Sequence, residues 1–259
     1  MSYAAALAII LAAGLAAAAA TILAQRRVDL DLRRRSHDVG SVVFLQLGTV
    51  FAVFLAFAFS QIWSEYNETQ IAIDQEVSAM HGAAIIASTL PPPADQAILS
   101  AQRAYLESVV DQEWPAMAAR RAADPGTSGK FVALLREAVN LRLTDPDDRD
   151  KKSSILSLLA EAHVHRETRL YEAGNGVPAP LWAVLIAFTI MLTLFVSLSQ
   201  IQSERVAVAI SACFAAGLVS ILVIARLLNY PFEGATALGP ADFVDLIGKI
   251  SDLARLRPT

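Results

Sequence analysis

Histidines are the residues of this sequence best suited to acid–base or metal chemistry, because imidazole titrates near neutral pH and binds transition metals. His163 and His165 lie two positions apart on a predicted helix and so point about 200° apart, whereas helical metal pairs are spaced i, i+4. His81 stands alone, and no glycine-rich phosphate loop, GxSxG or HExxH motif is present. The sequence therefore predicts no enzymatic activity, no metal site and no cofactor.

His37 differs from the other histidines because Ser36 and Asp38 flank it directly before a long apolar stretch. Ser36 or Asp38 would cap the helix that follows. Alternatively, His37 and Asp38 would form a pH-sensitive gate at the start of that helix. Both interpretations stay open at this point.

The apolar stretch after this position carries two overlapping patterns. Small residues recur every fourth position and are Gly48, Ala52, Ala56 and Ser60. An adjoining stripe with spacings of three and four consists of Gln46, Thr49, Val53, Ala56 and Ser60. Small residues let a second helix approach closely in lipid, and polar side chains at membrane depth need a partner or water. This surface therefore either packs against another helix or lines an aqueous path.

Four uncharged apolar stretches must position these residues. They are Met1–Gln25, Val39–Ser64, Ala173–Ser203 and Val206–Ala225. A helix needs about 20 apolar residues to cross a bilayer, and the chain is 55% hydrophobic with a mean hydropathy of +0.46. The first stretch is expected to be retained as a span, because Met1-Ser2-Tyr3 carries no basic region typical of a signal peptide.

The polar segment between spans two and three, residues 65–180, contains 17 Asp and Glu against 11 Lys and Arg. Its apolar residues recur at helical spacing, and no stretch alternates with period two. Two such stripes are Phe131, Leu134, Leu135 and Ala138, and Ile155, Leu158, Leu159 and Ala162. In particular, the stripe of Ile73, Val77, Met80 and Ala84 continues the second span into this segment as one long helix. We predict an acidic helical bundle, whose charge argues against nucleic acid as a partner.

The complete prediction is an all-α integral membrane protein with four transmembrane helices and a helical-bundle domain inserted between spans two and three. The predicted ranges are 1–64 for the first two spans with their arginine-rich loop, 65–180 for the inserted domain, 181–228 for the last two spans and 229–259 for a C-terminal amphipathic helix. That last helix would pack against the inserted domain or a neighbouring subunit, or lie in the membrane interface.

Basic residues beside the spans indicate the orientation, because they tend to stay in the cytoplasm. Six arginines lie on the side of the short loops and are Arg26, Arg27, Arg33, Arg34, Arg35 and Arg205. Three lie near the spans on the other side and are Arg166, Arg169 and Arg226. This count predicts that the inserted domain lies outside the cytoplasm.

Acidic residues cluster where the second span leaves the membrane. They are Glu65, Glu68, Asp74 and Glu76, with no Lys or Arg between them. Repeated around a ring, they would form a negative vestibule that concentrates cations and repels chloride. The alternative is an ordinary solvated helix face.

Several motifs resemble a known family. The run from Phe51 to Phe57, followed by Trp63-Ser-Glu-Tyr66, resembles the pore-lining second helix of the bestrophin anion channels. Ser36-His37-Asp38, the same FAVFLAF run, Glu113-Trp114-Pro115 and Pro231-Phe232-Glu233-Gly234 resemble the bacterial bestrophin-like family, whose members are of largely unassigned function. This second resemblance covers nearly the whole chain.

The resemblance implies a bacterial inner-membrane protein that assembles as a homo-oligomer, a pentamer in bestrophins, with one pore along its axis. Thr49, Val53 and Phe57 match the bestrophin constriction, although Thr49 departs from its apolar pattern. No acidic cluster matches the calcium clasp of the animal channels, so calcium control is not implied. The bestrophin domain after the second helix is cytoplasmic, which is the reverse of the orientation that the arginines predict.

Two functions follow as hypotheses. The first is an ion channel or channel-like pore for small ions, lined by the second span. The second is a non-conducting membrane scaffold or sensor whose acidic helical domain binds a partner protein.

Overall fold

The computed structural model describes residues 1–28, 37–199, 201 and 203–255, with side chains in the second helix described from Gly40 onward. The described residues form α-helices and no strand, which confirms the all-α prediction. The helices are α1 Tyr3–Arg27, α2 His37–Ala87, α3 Ala94–Ser108, α4 Trp114–Arg120, α5 Pro125–Asn140, α6 Pro146–Gly174, α7 Ala179–Ser197, α8 Glu204–Leu228 and α9 Ala241–Arg255. A π-helical turn, Val109–Glu113, joins α3 to α4, and a 3₁₀ turn covers Gly234–Thr236.

Four of the described helices, α1, α2, α7 and α8, are long and apolar enough to cross a membrane. The uncharged stretch that begins at Ala173 is longer than the third span, because Ala173 is buried in the last turn of α6. The Gly174-Asn175-Gly176 segment and Pro178 separate α6 from α7, which begins at Ala179. The third span is therefore a helix of 19 residues.

The chain divides into two compact units. The first unit comprises residues 1–64 and 176–229, and the second comprises residues 65–175 and 230–259. Helix α2 contributes its first part to one unit and its second part to the other without a break. The four predicted domain ranges, which set the C-terminal helix apart, stay a prediction.

Small residues bring α1 and α8 close together in the first unit. A Cβ added at Gly14 would lie 3.5 Å from the carbonyl oxygen of Ala212 and 3.8 Å from the Cβ of Ala216. Thr21 donates a hydrogen bond to Ser197 across 3.1 Å, so α1 is also tied to α7. This is the close packing that small side chains and hydroxyl groups provide in lipid.

The second unit buries one hydrophobic core between the 65–87 part of α2, α3 to α6 and α9. The predicted helical stripes are confirmed, since Phe131 and Leu134 of α5 and Ile155 and Leu159 of α6 are fully buried. Asp145 occupies the N-cap of α6 and accepts a hydrogen bond from the Asp147 N–H. The apolar stripe of α9, with Phe243, Leu246 and Ile250, is buried in this core.

Candidate functional site

The membrane part of α2 has a packed face and an uncovered face. Phe51 and Leu55 are 3% and 8% exposed and pack against Leu185 and Leu192 of α7. The Phe51 ring stacks on Phe188 with centroids 5.9 Å apart. Because residues of a helix that are three or four positions apart share a face, these contacts fix which side of α2 is turned away from α7.

The predicted constriction residues all lie on the uncovered face. Val53 and Phe57 are 52% and 73% exposed, and Thr49 is also exposed. The Thr49 hydroxyl donates to the Leu45 carbonyl across 2.8 Å, so its polar atom is satisfied within its own helix. The structure therefore aligns the three side chains on one stripe, and their role as a constriction stays a prediction.

The predicted small and polar residues share this uncovered surface. Gln46, Ala52, Ala56 and Ser60 are exposed, and Gly48 is half-buried. A Cβ added at Gly48 would meet no heavy atom of the described residues within 4 Å. The small-residue ridge of α2 is thus left open within the described chain, whereas close packing occurs between α1 and α8.

The histidine side chains that the structure describes do not form a common site. His163 lies 3.8 Å from Glu167 and His165 lies 3.9 Å from Glu161, so each contacts a different carboxylate on α6. Among the described residues, no three His, Cys, Asp or Glu side chains are grouped so as to hold a metal ion. The side chains of His37 and Asp38 lie outside the described residues, so their role as a gate or cap stays a prediction.

The predicted acidic vestibule requires a correction. Glu68 and Asp74 are exposed and Glu65 is half-buried, but Glu76 is fully buried in the second unit. Arg169 donates to both Glu76 oxygens, across 2.8 and 3.1 Å. Glu76 therefore belongs to a buried ion pair, and it does not contribute to a negative solvent face.

The Glu76–Arg169 pair is part of a network that also contains Glu113 and Arg166. Arg169 donates to Glu113 across 2.9 Å, and Arg166 forms a bidentate pair with the same carboxylate. The side chains of these four residues are at most 3% exposed. Two carboxylates and two guanidinium groups balance in charge, as burial in a medium of low dielectric constant requires.

Tyr105 completes the network by donating its phenolic proton to Glu76 across 2.7 Å. Burial raises the pKa of Tyr105 well above its ordinary value, and the negative charge of Glu76 raises it further. The guanidinium of Arg169 also lies over the Trp114 and Phe243 rings, 5.2 and 5.4 Å from their centroids. The charged groups of the network are therefore stabilised by a hydrogen bond from Tyr105 and by contacts with aromatic rings.

Two of the sequence motifs meet beside this network. Trp114 of the Glu113-Trp114-Pro115 motif packs edge-on against Phe232 of the Pro231–Gly234 motif, with centroids 5.3 Å apart. The Trp114 indole N–H donates to the Leu238 carbonyl across 3.0 Å. Gly234 has a φ of 83°, a conformation that favours glycine and lets the chain turn after Phe232.

The sequence contained a signal for the buried charges that the prediction missed. On α6, Arg166 and Arg169 continue the spacing of the buried Ile155, Leu159 and Ala162. On α2, Glu76 likewise falls between the buried Ile73 and Met80. Charged residues that continue an apolar stripe face the core and must be paired there, so the stripes alone could have indicated that these three side chains are buried and paired.

These features define a class: a multi-span membrane protein in which a helical unit is inserted between the second and third spans. The chain matches the Bestrophin-like domain family over residues 11–243 and belongs to that family. A comparison with curated protein sequences finds no match.

Solved structures show the same fold. A bacterial bestrophin homologue from Klebsiella pneumoniae is 17% identical, with a TM-score of 0.75 over 96% of this chain and 100% of that chain. A point variant of that homologue, also 17% identical, gives 0.76 over 95% and 99%. A structure described as a membrane protein, again 17% identical, gives 0.75 over 94% and 98%. The predicted resemblance and fold class are confirmed.

Proposed function

We propose that this protein forms an oligomeric ion channel or channel-like pore lined by α2. The observation that carries the proposal is the contrast between Phe51, buried against α7, and the exposed stripe of Thr49, Val53 and Phe57. One copy of this stripe cannot enclose a water-filled path. Several copies around a shared axis would bring the three side chains of each subunit together.

The chemistry of the stripe is consistent with such a path. Contact of the polar Gln46 and Ser60 side chains with lipid would cost free energy, so these exposed side chains are better accommodated by water or by a neighbouring subunit. Val53 and Phe57 between them would narrow the path to an apolar constriction, and such constrictions can gate by dewetting. Thr49 makes one end of this constriction less apolar than the family pattern.

The remaining parts of the proposal are the assembly and its setting. We propose a homo-oligomer, on the bestrophin analogy a pentamer, in the bacterial inner membrane, with small ions and lipid as its partners. The arginine count places residues 65–180 outside the cytoplasm, whereas the bestrophin analogy places them inside. A single cysteine at position 130 in a Cys213→Ser background, labelled by an impermeant reagent in spheroplasts, distinguishes the two orientations.

Ion flux through liposomes that contain the purified protein tests the proposed pore. Phe57→Ala removes the aromatic ring of the stripe and should increase ion flux if that ring narrows the path. Leu15→Ala is the matched control, since Leu15 of α1 is 72% exposed but lies on another helix, and it should leave flux unchanged. A monomeric mass in detergent, or no flux through the wild type and Phe57→Ala in folded oligomers, would contradict the proposal.

Ion selectivity tests the predicted acidic residues that are not buried. Glu65, Glu68 and Asp74 would make the mouth of a pore negative, so we expect the reversal potential in a salt gradient to show appreciable cation permeability. Neutralising Glu65 and Glu68 should shift that potential toward anion selectivity. Strict chloride selectivity in both forms would contradict this part of the proposal.

The second candidate is a non-conducting scaffold or sensor, and one observation favours it. Val164 and Tyr171 of α6 are 61% and 67% exposed and lie on one face, seven residues apart. Exposed apolar groups of this kind are common at protein interfaces. A folded oligomer that passes no ions would favour this function over the pore.

A further inference from the structure

Glu172 is a buried carboxyl group that the ion-pair network does not include. It lies in the last turn of α6 and is only 6% exposed. Its Oε2 atom is buried and has no hydrogen-bond partner among the described residues. Burial of a carboxylate oxygen without a donor disfavours the charged form, whereas a neutral carboxyl group loses much less on burial.

Two further acidic residues, on another helix, affect the pKa of Glu172. Glu65 and Glu68 lie three residues apart on α2 and therefore on one side of it. Burial raises the pKa of Glu172, and the negative charges of Glu65 and then Glu68 raise it further. A hydrogen bond with the Asn175 side chain acts in the opposite direction.

The arginines closest to Glu172 along the chain or by contact are engaged elsewhere. Arg169, one turn earlier on α6, is fully buried and bonded to Glu76 and Glu113. The carbonyl oxygen of Arg121 approaches Gly174, but its guanidinium group forms a bidentate pair with Glu233. That guanidinium also lies 3.4 Å from the centroid of the Tyr230 ring.

We propose that Glu172, together with Glu65 and Glu68, forms a proton-binding site in the second unit. The ligand is a proton from solvent, which forms an O–H bond on the Glu172 carboxylate and neutralises the charge of that group. The described residues contain no grouping suited to a metal ion, so the proton is the ligand that this arrangement favours. The site does not require that the protein conducts ions.

Infrared titration of the full-length protein in detergent tests the proposal, because a protonated carboxyl group has a carbonyl band distinct from that of a carboxylate. The wild-type spectrum minus that of Glu172→Gln isolates the Glu172 signal at each pH. The matched control is Glu161→Gln, on the same helix, because the Glu161 side chain is 56% exposed. We expect Glu172 to lose its proton at a higher pH than Glu161.

An equal or lower midpoint for Glu172 would overturn the proposal. If Glu172→Gln does not fold, the double variant Glu65→Gln/Glu68→Gln keeps Glu172 and removes the two neighbouring charges. It should move the highest-pH carboxyl transition of the wild type to lower pH, and an unchanged transition would equally overturn the proposal. A loss of ion flux without a change in these spectra would concern the proposed pore and not this site.

Discussion

The interiors of the two units satisfy buried polar groups in different ways. In the first unit, hydroxyl groups bond to the carbonyl one turn earlier on their own helix, as Thr189 does to Leu185 across 2.9 Å and Ser220 to Ala216 across 2.7 Å. In the second unit, ionised side chains pair between helices that are distant in sequence, as Arg169 does with Glu76.

Each interior therefore uses the kind of polar interaction, hydrogen bond or ion pair, that its surroundings allow. A helix in lipid satisfies its own polar groups internally, so its packing depends on close fit and weak interhelical bonds. A water-soluble bundle folds from hydrated charges, and burying them is tolerated only when the whole set is paired. Single substitutions should therefore have larger effects in the second unit than in the first.

The largest effect is expected for Arg169→Met, which removes the cation shared by Glu76 and Glu113. Breaking a buried pair leaves an uncompensated charge and costs about 3–5 kcal/mol. Urea unfolding followed by the fluorescence of Trp114, with the other two tryptophans replaced by Phe, measures this cost. Arg103→Met is the control, because the Arg103–Glu107 pair is exposed and such pairs contribute about 0–1 kcal/mol. Equal effects of the two variants would contradict the assigned network.

Tyr105→Phe should have the next largest effect. It removes one hydrogen bond to the buried Glu76 carboxylate, and hydrogen bonds to charged groups contribute about 1.5–3 kcal/mol. The same unfolding assay measures the change. Additive losses in the Tyr105→Phe/Arg169→Met double variant would argue against one coupled network, since residues in a shared network are not additive.

In the first unit, Gly14→Leu should be the most disruptive of the substitutions considered. The space beside Gly14 admits little more than a Cβ, so the larger side chain would push α1 away from α8 at a cost of about 1–3 kcal/mol. Thermal unfolding in detergent measures this loss of stability. Gly217→Leu is the control, because a Cβ added there meets no described heavy atom within 4 Å.

The smallest effect is expected for Thr21→Val. It preserves the shape of the side chain while removing the bond to Ser197, and interhelical hydrogen bonds in membranes contribute about 0.6 kcal/mol on average. The melting temperature should change little. A loss as large as that of Tyr105→Phe would show that the two interiors depend on polar bonds to a similar degree.

Much of the fold was predictable because it depends on local patterns. Uncharged length predicted the four spans, and apolar periodicity predicted the stripes of α5 and α6. The uncharged stretch of the third span begins at Ala173, before α7, and only the packing of α6 shows that Ala173 faces the core of the second unit.

The candidate sites were less predictable because their members are far apart in sequence. Arg169 and Glu76 are 93 residues apart, and nothing in either local pattern identifies the partner of the other. Glu172 resembles any acidic residue near a helix end until its burial and the two carboxylates of α2 are known. The π-helical turn that ends at Glu113 was not predicted either, because such turns are rare.

The second unit is discontinuous in sequence, and this affects how the protein is made. Phe232 and Phe243 pack on Trp114 in its core, yet both follow the last membrane span in the chain. During synthesis the ribosome must therefore deliver all four spans before the residues that close this core emerge. Until then, Trp114 lacks its aromatic neighbours, and the nascent bundle depends on chaperones or on its own partial packing to avoid aggregation.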